Sequence, residues 1–140
     1  MYDASRHVCF NLSRAVRRIQ NYYQRRLAPV GLTAPQFFVL NALWGQDGLN
    51  FRDLAERVGL DGSTLTGMID RLEKNDLVER RPDVEDRRSV RLHLTVKAQL
   101  LLPQLFRITN ELDGILKKPF TEDDIRAFER VLDQIGENLG

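Results

Sequence analysis

The sequence predicts a mainly α fold carrying one small β-wing, and three observations predict it. Apolar residues recur at helical spacing through most of the chain, in segments that open on capping residues. Two short alternating runs, "LVERR" and "SVRLHLT", fall together between residues 77 and 95. Just ahead of them, two helical segments are separated only by "GLDG". Helix, short turn, helix and two-stranded hairpin, in that order, make a winged helix-turn-helix.

Residues 6–28 read as a long helix, with Val8, Leu12, Ala15, Ile19 and Tyr22 at spacings of three and four. Cys9, Val16 and Tyr23 form a flanking line, and Pro29 and Gly31 end the segment. "TAPQ" starts the second helix, with Thr33 as N-cap, Pro35 in the first turn and Gln36 at the capping-box position. Its run "FFVLNALW" is apolar almost all round, which places it at the centre of the core. "GQDGLN" is a break. Asn50 then caps "FRDLAERV", with Phe51, Leu54, Ala55 and Val58 inward and Gly59 as the stop. Asp61 or Ser63 caps a fourth helix over about 63–75, whose buried face is Leu65, Ile69 and Leu72. After the hairpin, residues 96–118 form another long helix with a kink expected at Pro103. Thr121 caps the last, where Glu122, Asp123 and Asp124 suit the helix dipole and Ile125, Phe128, Leu132, Ile135 and Leu139 make the apolar stripe.

At 140 residues, 42% of them apolar, the chain is long enough for one domain with a core. The net charge of +1 conceals a segregation. Residues 1–30 hold six arginines against Asp3, whereas residues 98–140 hold five basic and eight acidic side chains. One cysteine rules out an intrachain disulfide. No run approaches the ~18 apolar residues of a membrane span and no signal-peptide stretch opens the chain, so a cytoplasmic protein without membrane contact is expected. His7 and His93 are the only histidines, and no acid–base pair, nucleophile triad or metal-ligand spacing is spelled out. Neither an enzyme nor a cofactor is expected.

The second helix of the pair presents Ser63, Thr64, Thr66, Gly67, Asp70, Arg71 and Lys74 outward. Short hydroxyl side chains let a helix approach the floor of a major groove and bond base edges or phosphates. Its N-terminus also favours a phosphate. The hairpin tip, "RRPDVEDRRSV", carries charge of both signs. An arginine there can enter the narrow minor groove, and a carboxylate two residues away can orient its guanidinium. Arg88 is assigned to the groove, with Arg87 beside it, and Asp86 to that orientation. A solvated helix face and a solvated turn are the plain alternatives.

The stretches "GLTAPQFFVLNALW" and "FRDLAERVGLDGSTLTGMIDRLEKNDLVERRPDVEDRRSVRLHLT" resemble the MarR family of bacterial transcription regulators. The D-x-R of the wing, Asp86-Arg87-Arg88 followed by "LHLT", is the most specific mark. The resemblance covers essentially the whole chain. It implies a single domain over 1–140, with a winged-helix lobe at 33–97 and dimerisation helices at 1–30 and 98–140. Apolar terminal stripes too large for one small lobe to cover imply the same homodimer. A two-fold dimer would read double-stranded DNA as a pseudo-palindrome with half-sites ~10 bp apart. Asp76 stands where the family usually has Gly, and there Asn75 or Asp76 can take a left-handed turn.

Members of the family usually release DNA on binding a small ligand or on oxidation of a cysteine. "HVCFNLSRA" is similar to the first helix of the organic-peroxide-sensing branch, whose activating tyrosine matches Tyr23. Tyr23 lies fourteen residues after Cys9, a separation of ~21 Å along one helix, so the two could meet only across a dimer. Two other positions where that branch carries tyrosine are Ala34 and Ser13. Three roles stand open for Cys9: a buried structural residue, a redox sensor, or a pocket lining. For a ligand, Phe10, Phe37, Phe38, Leu40 and Trp44, with Leu101 and Leu105, could line an aromatic-rich cleft, and Arg14, Arg17 or Arg18 could receive an acid. An aromatic acid or its acyl-CoA thioester suits such a cleft. The reading is a repressor released by such an effector, with a Cys9 peroxide sensor or a winged-helix protein-interaction module as alternatives.

Overall fold

Side chains identified in the sequence set most of the helix starts. In the computed structural model, which describes residues 1–140, Thr33 Oγ1 accepts the Gln36 N–H at 3.3 Å and Gln36 Oε1 accepts the Thr33 N–H at 3.0 Å. That capping box opens α2 (Ala34–Gly45). Asn50 Oδ1 takes the Asp53 N–H at 2.8 Å to start α3 (Phe51–Val58). Asp61, not Ser63, caps α4 (Gly62–Lys74), accepting the Thr64 N–H at 2.8 Å. Thr121 and Asp124 form a second capping box at the head of α6 (Glu122–Leu139). The first helix, α1 (Val8–Leu27), starts two residues later than expected, after a 3-10 turn at Ala4–Arg6. The long helix α5 (Val96–Lys117) continues through Pro103.

The chain divides into two compact units, Met1–Leu105 and Phe106–Gly140. In the first, α2 is central as its composition requires, with Phe37, Val39, Leu40 and Leu43 wholly buried. Leu27 of α1, Leu54 of α3, Leu65, Ile69 and Leu72 of α4, and Leu102 of α5 are equally inaccessible. Each such side chain contributes about 1.5–3 kcal/mol by leaving water. Only the last turns of α1 join this core: Tyr23 and Leu27 are buried, while Val8, Ala15 and Val16 are exposed. The second unit contains α6, none of whose residues is buried.

The wing is formed by β2 (Val78–Pro82) and β3 (Val90–Leu94), antiparallel, with Arg80 opposite Leu92 and Pro82 opposite Val90. A third strand was not expected. Within the predicted break, β1 (Leu49–Asn50) pairs antiparallel with the other edge of β3, giving the order β1-β3-β2. Two residues are too short to show alternation, so the pairing alone defines this strand. Gly48 turns the chain into it at φ 78°, and its N–H bonds the Leu92 carbonyl at 2.9 Å. Beyond α4, Asp76 takes the left-handed conformation at φ 58°. Thr95 Oγ1 donates to its carbonyl at 2.6 Å, fastening the turn to the end of β3. No single helix is long and apolar enough to cross a membrane.

Candidate nucleic-acid interface

The outer face of α4 lies open. Ser63, Thr64, Thr66, Gly67, Asp70, Arg71 and Lys74 are all exposed, and a Cβ added at Gly67 would meet nothing within 4 Å. The hydroxyls are engaged with their own helix. Ser63 Oγ and Thr64 Oγ1 each donate to Asp61 at 2.8 Å, and Thr66 Oγ1 donates to the Gly62 carbonyl at 2.8 Å. Their lone pairs remain available as acceptors. The Thr64 backbone N–H, then the Thr64 and Ser63 hydroxyls, hold the Asp61 carboxyl at about 2, below its usual 3.8. The Asp61 carboxylate thus takes the Thr64 amide and shares the α4 N-terminus with any phosphate, which would meet the remaining first-turn amides.

The wing tip corrects one expectation. Asp86 Oδ1 accepts the backbone N–H of Arg88 at 3.0 Å and forms no ion pair with its guanidinium. Asp83 Oδ1 likewise accepts the Glu85 N–H at 2.9 Å. Both are Asx-type turns, in which a short carboxylate reaches a backbone amide two residues on. Asp83 N–H to the Ser89 carbonyl and Ser89 N–H to the Asp86 carbonyl, at 3.0 and 2.9 Å, complete the loop. The carboxylates of the tip therefore shape the backbone and leave the exposed Arg87 and Arg88 without an ionic partner.

Several cations elsewhere in the lobe are already engaged. Arg80 bonds Asp70, lies 3.9 Å from Glu73, and sits 5.5 Å over the Phe51 ring, tying α3, α4 and β2 together. Arg81 pairs with Glu79, Arg91 with Asp83, and Lys97 donates to the Asn75 carbonyl. His93 Nδ1 lies 2.8 Å from Asp47, whose other oxygen accepts the Leu94 N–H at 2.9 Å. Arg57 donates to the neutral Gln46 at 2.7 Å. Without any ionic partner are the exposed Arg52 on α3, Arg71 and Lys74 on α4, and Arg87 and Arg88 on the wing.

The effector candidates separate. Cys9 is exposed at the start of α1 in the single chain. Ser13 and Arg17 are exposed on the same helix. Tyr23 is buried, with its ring centroid 5.8 Å from Phe37 and 5.2 Å from Phe38. Phe37 and Leu40 belong wholly to the core, whereas Phe10, Phe38 and Trp44 present surface. Asn41 was not anticipated. It lies between Phe38 and Trp44 at helical spacing, and its Oδ1 is buried with no hydrogen-bond partner. The signal was visible: Asn41 is the single polar residue in "FFVLNALW".

The MarR family model matches residues 32–90. The chain is 32% identical over 127 residues to the uncharacterised HTH-type transcriptional regulator YsmB of Bacillus subtilis, covering 91% of this chain and 82% of that protein. Among solved structures it is similar to BpsR of Bordetella bronchiseptica, whose DNA binding is regulated by 6-hydroxynicotinic acid, at 26% identity, 97% coverage of each chain and TM-score 0.87. It is also similar to the transcriptional repressor CouR bound to a 23-mer DNA duplex, at 29% identity, 94% coverage of each chain and TM-score 0.82. With the helix pair, the open face of α4 and the wing in place, this chain belongs to the MarR family of winged-helix, DNA-binding transcriptional regulators.

Proposed function

We propose that two copies of the chain bind a pseudo-palindromic operator as a repressor and release it when a small aromatic acid, or its thioester, binds. The observation that carries the DNA half is the sorting of cations. Arg80, Arg81 and Arg91, which buttress the lobe, are paired, whereas Arg71 and Lys74 on the recognition helix and Arg87 and Arg88 at the wing tip, together with Arg52 on α3, are free to meet phosphates or a minor groove. CouR, a repressor captured on DNA, supports the same use of this fold.

The dimer reading rests on uncovered apolar surface. Phe128 and Leu139 of α6 are 54% and 83% exposed, and Val8 and Val16 of α1 are also exposed. A second copy covering residues 1–30 and 98–140 removes these stripes from water. The basic first arm and the acidic last arm attract one another across such an interface.

For the effector, Phe38 and Trp44 flank the unpartnered Asn41 oxygen on one face of α2. An aromatic ring between them with a protonated carboxyl or hydroxyl donating to Asn41 satisfies that acceptor. Arg17 is a candidate for an acid group. BpsR, regulated by an aromatic acid, supports the class. The test is release of a DNA duplex, selected by the protein from a random library, on titration with a panel of aromatic acids and CoA thioesters. At least one should release the parent, and Asn41→Ala should blunt that release while leaving DNA binding intact. Failure of the whole panel removes the effector reading.

A second reading is oxidation at Cys9, supported by the likeness of "HVCFNLSRA" to the first helix of the organic-peroxide-sensing branch. It requires rapid release by organic peroxide, lost in Cys9→Ser. With Ala34 and Ser13 offering no phenol, slow oxidation is the expected result.

A further inference from the structure

We propose that Asp83 and Arg91 form a positioning pair that fixes the wing for DNA, a role resting on the DNA-binding reading above. Arg91 Nε donates to Asp83 Oδ2 at 2.8 Å, and its Nη1 donates to the Gly48 carbonyl at 3.0 Å. One guanidinium thus joins the base of the wing tip, strand β3 and the turn ahead of β1. The Asp83 side chain is only 11% exposed. Its second oxygen accepts the Glu85 N–H, and its own N–H bonds Ser89, so both sides of the tip run through this residue. Arg81, opposite Arg91 in the ladder, is occupied by Glu79 and does not compete for the carboxylate.

The arrangement separates two tasks. Arg87 and Arg88 meet the DNA, and the Asp83–Arg91 bridge holds the loop that presents them. Without it the tip is tied to the sheet only by backbone bonds at its neck, and ordering it must then be done at the moment of binding. Charge-assisted bonds of this kind are stronger than the neutral bonds around them.

Simple electrostatics and positioning predict opposite signs for one substitution. Asp83→Asn makes the wing more positive, so a field effect alone would tighten DNA binding. Positioning predicts weaker binding. The experiment measures fluorescence anisotropy of parent, Asp83→Asn and Arg91→Gln on a duplex selected by the parent and on an unselected duplex of equal length. Amide hydrogen exchange over residues 83–90 is followed in the free proteins. Both variants should lose on the order of tenfold affinity for the selected duplex and much less for the unselected one. Amides of Glu85, Arg88 and Ser89 should exchange faster, while thermal melting stays close to the parent. Asp83→Asn binding the selected duplex as tightly as the parent, or tighter, overturns the proposal, as does unchanged exchange at the tip. If the parent selects no duplex, the DNA-binding reading itself fails, and the exchange data still decide whether the bridge orders the loop.

Discussion

At the wing tip, two carboxylates accept backbone amides two residues ahead of them, and two neighbouring guanidiniums are left facing solvent. Arg88→Ala should therefore weaken operator binding on the order of tenfold, by removing one groove or phosphate contact, with little change in melting temperature. Asp86→Ala should reproduce part of that loss, since it frees the Arg88 amide and loosens the turn. Equal affinity of both variants and parent in a gel-shift titration would sink the assignment. The cap of α4 gives a pH-dependent expectation. Asp61 is held at about 2 against a usual 3.8, so its contribution is fully present above pH 3.8 and is lost as pH falls through about 2. Urea midpoints of parent and Asp61→Ala should differ at pH 5 and converge as pH approaches 2. A difference that persists there would place the cap's contribution outside the charge.

At the scale of elements, the helices and both wing strands were legible because each has its own periodicity, and four of the helices also have their own cap. Thr33, Asn50, Asp61 and Thr121 cap the helices they were expected to cap. Strand β1 was not legible, since Leu49 and Asn50 acquire their character only from Leu92 and Arg91, more than forty residues away. The turn that delivers it is testable. Gly48 lies at φ +78°, and an added Cβ would come 3.0 Å from His93 Cε1. Gly48→Ala should cost roughly 1–2 kcal/mol in chemical denaturation, through the left-handed backbone and the displaced imidazole. A neutral result would mean that the β1 turn relaxes freely. The role of Asp86 was misjudged for a related reason. Sequence spacing places a carboxylate near an arginine but does not distinguish the guanidinium from the amide. Likewise Phe37 and Trp44 look alike in a run of apolar residues, yet one is buried and the other 45% exposed, a difference decided by what α2 packs against.

For the whole molecule, the exposed stripes of α1 and α6 and the free cations of α4 and the wing support one arrangement. In the proposed arrangement a two-fold pair carries two recognition helices to half-sites ~10 bp apart. Sedimentation should report a particle of two chains at micromolar concentration, and a folded, stable monomer would contradict the dimer. Sequence-specific DNA binding through the cations Arg71, Lys74, Arg87 and Arg88 is decided by the salt dependence of affinity for a selected duplex. The plot of log Kd against log salt should be steep, at about 0.9 per neutralised phosphate, and should become shallower in Arg88→Ala, with two chains bound per duplex. Affinity that is flat across salt, or equal for selected and unselected duplexes, would contradict it.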